Sequence, residues 1–126
     1  MFKKSLPLFS LLLLVLAGCA TQLTNLTPQQ QVRDTNNLYR VEVAFNTRQH
    51  TVRWQSIQPK IVVGTEFYDM RPTPFMTNRW EGLIPVPPGT NIVHYHYRFD
   101  FRYNRMGDPG NDNALSQEYT LRILDQ

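Results

Sequence analysis

From Val93 to Tyr103 the chain alternates without a break. Val93, Tyr95, Tyr97, Phe99, Phe101 and Tyr103 fall on one side, and His94, His96, Arg98, Asp100 and Arg102 on the other. Side chains of an extended strand point to opposite faces with period two, whereas a helix would scatter these rings around its circumference. A face made of one valine and five aromatic rings must be covered by a second apolar layer, so this stretch predicts a long strand in a layered β structure.

The same period governs the rest of the chain after Leu38. Tyr39, Val41, Val43 and Phe45 alternate with Arg40, Glu42 and Ala44; Val52 and Trp54 make a second short strand, and Ile61-Val62-Val63 a third ending at Gly64. Phe67 to Asn78, broken by Pro72 and Pro74, reads as a long irregular stretch, too apolar in Tyr68, Met70, Phe75 and Met76 for an ordinary loop, so that it either covers one end of the fold or forms a recognition surface. Trp80 to Val86 can form a strand that Pro85 confines to an edge or terminates, and Pro87-Pro88-Gly89 is a turn. After a loop at Gly107 to Asn113, Tyr119, Leu121 and Ile123 alternate in a last strand. About six strands and no helical period predict an all-β fold, a single small antiparallel β-sandwich.

Val62-Val63-Gly64-Thr65-Glu66-Phe67, then Trp80, Gly89 and Tyr95-His96-Tyr97-Arg98-Phe99-Asp100, resemble early-set immunoglobulin-like domains, a group that includes glycogen- and starch-binding modules. In these domains a strand ends in a glycine turn, a tryptophan begins a strand, and a Pro-Gly turn leads into a Tyr-x-Phe strand. The resemblance implies an immunoglobulin-like sandwich. Tyr68-Asp69 stand where that pattern has a tryptophan, and Phe101 where it has a glycine, which weakens carbohydrate binding more than the fold.

The beginning of the chain follows a different logic. Met1-Phe2-Lys3-Lys4 is positively charged, and Leu6 to Leu16 is an apolar run of 11 residues broken by Pro7 and Ser10. A bilayer core needs ~20 apolar residues, so the run matches a secretory signal and not a membrane span. Ala17-Gly18-Cys19 then resembles the lipobox of bacterial lipoproteins, in which the signal is cut before a cysteine that is acylated. The resemblance implies residues 1–18 as signal peptide, Cys19 as lipidation site and the membrane as a partner. With Ala20 where an inner-membrane retention aspartate would stand, it implies an outer-membrane, envelope location. Two or three acyl chains at ~0.8 kcal/mol per buried CH₂ hold a protein almost permanently. Residues 19–37, rich in Thr, Asn and Gln with Pro28, read as the lipidated end and a flexible tether, leaving 38–126 as the sandwich.

Chemistry-bearing residues are few. Cys19 is the one cysteine, so no internal disulfide forms, and removal of Lys3 and Lys4 with the signal leaves too little positive charge for a nucleic-acid partner. His94 and His96 share a strand face at a spacing that can serve zinc or copper; no third ligand is evident, though His50, Asp100 or Glu118 could approach in space, and the solvent face of an amphipathic strand accounts for the pair. Asp108, Asn111, Asp112 and Asn113 could offer oxygen to calcium but fit no EF-hand spacing, and a turn accounts for them. Trp80, Trp54 and Tyr68 are the candidates for stacking on sugar rings. No G-x-S-x-G, H-E-x-x-H or phosphate loop is present, and Ser56 and Ser116 are the serines remaining after cleavage. The expectation is a non-enzymatic envelope lipoprotein, without cofactor, whose sandwich binds another envelope protein or serves a structural role. The alternative is a carbohydrate-binding module with a glycan as ligand.

Overall fold

The long alternating strand is the centre of the larger of two sheets. The structure is a computed structural model and describes residues 21–125. The signal-peptide, lipobox and Cys19 readings lie outside the described residues. The described residues form ten strands: β1 (Thr21–Asn25), β2 (Gln30–Val32), β3 (Leu38–Thr47), β4 (Val52–Val63), β5 (Glu66–Asp69), β6 (Arg71–Pro72), β7 (Arg79–Pro85), β8 (Ile92–Tyr103), β9 (Gly110–Leu115) and β10 (Tyr119–Leu124). No helix occurs among the described residues. One sheet has the order β1-β3-β7-β6 and the other β2-β10-β8-β4-β5, with β9 also paired to β8. All pairings are antiparallel except β2 with β10. The two sheets pack as a β-sandwich.

The inward residues of β8 are the ones its alternation selects: Val93, Tyr95, Tyr97, Phe99 and Phe101 are all buried. They meet Tyr39, Val41, Val43 and Phe45 from β3 and Trp80 and Ile84 from β7. Phe45 sits at the focus of the ring cluster, stacked on Phe99 at 5.6 Å and edge-on to Phe101, Trp80 and Trp54. Such pairs contribute ~0.5–1.5 kcal/mol each beyond their area, which suits a core without a disulfide.

Three boundaries differ from expectation. The tether predicted over residues 19–37 is, from Thr21 onward, part of the sandwich: β1 pairs with β3 and β2 runs parallel to β10. Leu23 packs against the core, and the rest of the attachment is polar and invisible to a hydrophobic pattern. Asn25 donates from Nδ2 to the Tyr95 hydroxyl (3.0 Å) and accepts at Oδ1 from the Tyr97 hydroxyl (2.7 Å). The buried Thr27 hydroxyl accepts the Glu42 backbone N–H at 2.9 Å and lies 3.1 Å from the Tyr97 hydroxyl. Two fully buried tyrosines need partners at their tips, and this segment supplies them.

The second difference is in β4, where the two short strands expected at Val52 and Ile61 are one, with a register shift between Arg53 and Gln58. Ser56 stitches that irregularity: its hydroxyl donates to the Arg53 carbonyl at 2.6 Å and accepts the Arg102 N–H at 2.8 Å. The third concerns stretches read as loops. Residues 110–113 belong to β9, and the supposed irregular stretch from Phe67 contains the end of β5 and all of β6. Gly110 lies flat under the Tyr103 ring, so a missing side chain there makes room for an aromatic on the neighbouring strand.

Candidate functional site

β3, β4 and β7 bring the two tryptophans together at one end of the sandwich. Trp80, on the inner face of β7, is 6% exposed, while Trp54 leaves β4 at its irregularity and is 43% exposed. Their rings are parallel, 3° apart in plane and 6.1 Å between centres. Trp54 therefore caps Trp80 and offers the remaining surface to a shallow hollow lined by Asn46, Thr47, Thr77 and Asn78. Asn78 anchors the rim through its Nδ2 to Asn46 Oδ1 at 3.1 Å. Tyr68 does not join them: it is half-buried on β5 and borders another depression with Met70, Arg71 and Glu81. Of the three stacking candidates, one is accessible, one lies beneath it, and the third is elsewhere.

His94 and His96 lie on the outer face of β8, as their spacing requires. His94 Nδ1 is 3.1 Å from Thr120 Oγ1 and 3.6 Å from Glu118 Oε1, so Glu118 does approach. The other suggested ligands do not. His50 follows β3 at the far end of β8, and Asp100 is paired with Arg98 at 3.2 Å. Among the described residues no group of three or more His, Cys, Asp or Glu side chains is placed to hold a metal ion.

The outer face of β3 and β7 carries a charge cluster. Glu42 and Glu81 stand directly opposite each other, a repulsive arrangement on a sheet. Arg40 relieves it by reaching both carboxylates, at 3.6 and 3.4 Å, and Arg71 adds a contact to Glu81 at 3.3 Å. The Arg40 hydrogen bond, with the charges of Arg40 and Arg71, holds the Glu81 carboxyl below its ordinary value despite the opposing effect of burial.

Both serines weighed as nucleophiles have backbone duties. Ser56 closes the β4 irregularity. Ser116 accepts the Tyr97 N–H at 2.8 Å and donates to the Gln117 carbonyl at 2.8 Å, bridging the gap between β9 and β10. Among the described residues, neither is hydrogen-bonded to a histidine.

Two surfaces were marked in the sequence only in part, through the apolar stretch that holds Phe75, while Leu115 and Met106 went unnoticed. On the outer face of the larger sheet, Phe67, Val62 and His96 form one cross-strand row, and Asp69, Lys60, Arg98 and Leu115 the next. Phe67 and Leu115 are more than half exposed. At the Trp54 end, Phe75 and Met106 stand free on loop tips. Neither surface has a periodic signal, because each is assembled from separate strands or loops. No protein-family model matches this chain, and no curated protein shows significant similarity to it.

Proposed function

We propose that this chain is a lipid-anchored protein of a bacterial cell envelope whose immunoglobulin-like sandwich works by recognition and not by catalysis. The order β1-β3-β7-β6 facing β10-β8-β4-β5 supports the immunoglobulin-like reading, since it follows the ABED and GFCC′ sheets of that architecture. The positive start, short apolar run and Ala17-Gly18-Cys19 support the anchor, and Ala20 supports delivery to an outer membrane.

The observation that carries the recognition reading is the outer face of the larger sheet. Phe67 and Leu115 are half-exposed apolar side chains flanking Lys60, His96 and Arg98, the mixture of anchors and polar groups that protein interfaces use. Its partner is another envelope protein. The intact lipidated protein, isolated in detergent, is to be used to capture partners from solubilised membranes. Capture should be lost with Phe67→Asp/Leu115→Asp. Equal capture by that variant, or none above background by the wild type, would overturn the reading.

The anchor is tested separately: Cys19→Ser should release the protein into the exported soluble fraction, and unchanged membrane association would refute lipidation. The carbohydrate alternative rests on Trp54 alone, because Trp80 is covered and Tyr68 is apart. Trp54→Ala should abolish retention on a polysaccharide column if that reading holds.

A further inference from the structure

The first described strand begins two residues after Cys19. Thr21 is already paired with Thr47, their hydroxyls 3.1 Å apart. Two residues span at most ~7 Å, so a lipid on Cys19 would leave this end of the sandwich against the bilayer surface, with no tether to lift it away.

The same end gathers three loops. The 48–51 loop follows Thr47. The 73–78 loop is held beside β3 by the Phe45 N–H to the Asn78 carbonyl at 2.9 Å, and the 104–109 loop by the Asn104 N–H to the Thr51 carbonyl at 2.8 Å. Phe75 and Met106, at the tips of the latter two, are fully exposed (104% and 100%). Phe75 also has φ of 65°, a left-handed conformation that a bulky aromatic adopts at a cost. Its loop is closed by Met76 N–H to Thr73 O at 3.2 Å and Thr73 N–H to Arg79 O at 2.9 Å, so the ring is held outward by structure.

Charge is distributed the same way. Ion pairs hold Arg33, Arg40, Lys60, Arg71 and Arg98. Of the six other arginines among the described residues, Arg48, Arg53, Arg79, Arg102 and Arg105 belong to this end, and Arg122 does not. Arg53 and Arg105 are oriented by neutral oxygens, Asn104 Oδ1 at 2.6 Å and the Asp108 backbone carbonyl at 2.8 Å, which fix the side chain without cancelling its charge. Asp108 is the acidic residue of these three loops. At the opposite end Arg33 is paired with Asp125 at 2.9 Å.

Resting on the reading of Cys19 as the anchor, we propose that this end is a bilayer-docking surface. Phe75 and Met106 enter the membrane interface, and Arg48, Arg53, Arg79 and Arg105 lie over the phosphates of anionic phospholipid. Apolar tips ringed by unpaired cations are the chemistry of interfacial attachment. Docking would fix the orientation of the domain, leaving the opposite end, with the 86–91 connection, pointing away from the membrane.

The test uses the intact protein reconstituted into phosphatidylcholine vesicles with and without phosphatidylglycerol. Spin labels are placed in turn at Phe75→Cys, Met106→Cys and, at the opposite end, Thr90→Cys. The expected result is a shift of the 75 and 106 labels from water to lipid exposure when phosphatidylglycerol is present, lost in Arg48→Glu/Arg105→Glu, with position 90 in water throughout. Labels at both 75 and 106 remaining in water in anionic vesicles, in variants that unfold at the wild-type temperature, would overturn docking. If either variant unfolds early, the other decides. The chain without introduced cysteines is treated with the same label. Uptake at Cys19 would refute the anchor by itself, and docking is then scored on that chain by whether it floats with the anionic vesicles and fails to float with the neutral ones.

Discussion

The strongest consequence of the fold concerns Asn25, in a segment whose composition suggests a dispensable linker. Asn25→Ala removes the donor to Tyr95 and the shortest partner of Tyr97. Tyr97 retains Thr27 at 3.1 Å and the Glu42 carbonyl at 3.2 Å, so its loss resembles one ordinary hydrogen bond, ~0.5–1.5 kcal/mol. Tyr95, 1% exposed, loses the donor to its hydroxyl and is left with the neighbouring Tyr97 hydroxyl alone, and a buried hydroxyl left short of a partner costs ~1–3 kcal/mol. Asn25 is half-buried, and water entering the space it vacates recovers part of this. The expected net loss is about 2 kcal/mol, or roughly 8 °C in melting temperature for a domain of this size. Thermal unfolding followed by near-ultraviolet circular dichroism measures it. In a Tyr95→Phe background the same substitution should cost about 1 kcal/mol less, because no hydroxyl remains to be orphaned. An Asn25→Ala loss below about 0.5 kcal/mol, or one unchanged by Tyr95→Phe, would refute the polar-clasp account of why residues 21–27 belong to the fold.

Three other outcomes follow from single features. Burial pushes the Tyr97 phenol far above its ordinary value of 10.0, so above that pH the unfolded chain loses this proton and the folded one keeps it. Stability should fall as pH rises past 10, with a shallower fall in Tyr97→Phe on denaturant titration at several pH values. Gly110→Ala would drive a methyl group into the Tyr103 ring and should destabilise by ~1–3 kcal/mol; Tyr103→Ser should suppress most of that cost in a double-mutant cycle. Phe75→Asn replaces a strained, fully exposed aromatic with a residue that tolerates positive φ, and should raise stability by up to ~1 kcal/mol in calorimetry while abolishing the lipid dependence of the 106 label.

The alternation over Val93–Tyr103 and Tyr39–Phe45 was enough to assign two long strands, their inward faces and a sandwich, because a period of two and a two-layer core are both local consequences of side-chain geometry. Gly64 and Gly89, both with positive φ, were likewise readable as turns. The exposed placement of His94 and the half-buried one of His96 also followed from strand phase.

Tertiary structure alone decided what depended on partners distant in sequence. The segment at Thr21–Val32 was misread because its attachment rests on backbone pairing and on Asn25 and Thr27 meeting tyrosine hydroxyls about seventy residues away, which no apolar pattern records. The β4 irregularity hid one strand as two, since Ser56 replaces ladder bonds that periodicity presumes. Trp54 and Trp80, equal as candidates in the sequence, became a cap and the ring beneath it once two strands from different sheets brought them face to face. The proposal that Cys19 is an anchor rests on its neighbours in the chain, whereas the face proposed to meet a membrane depends on three loops that only the fold gathers at one end.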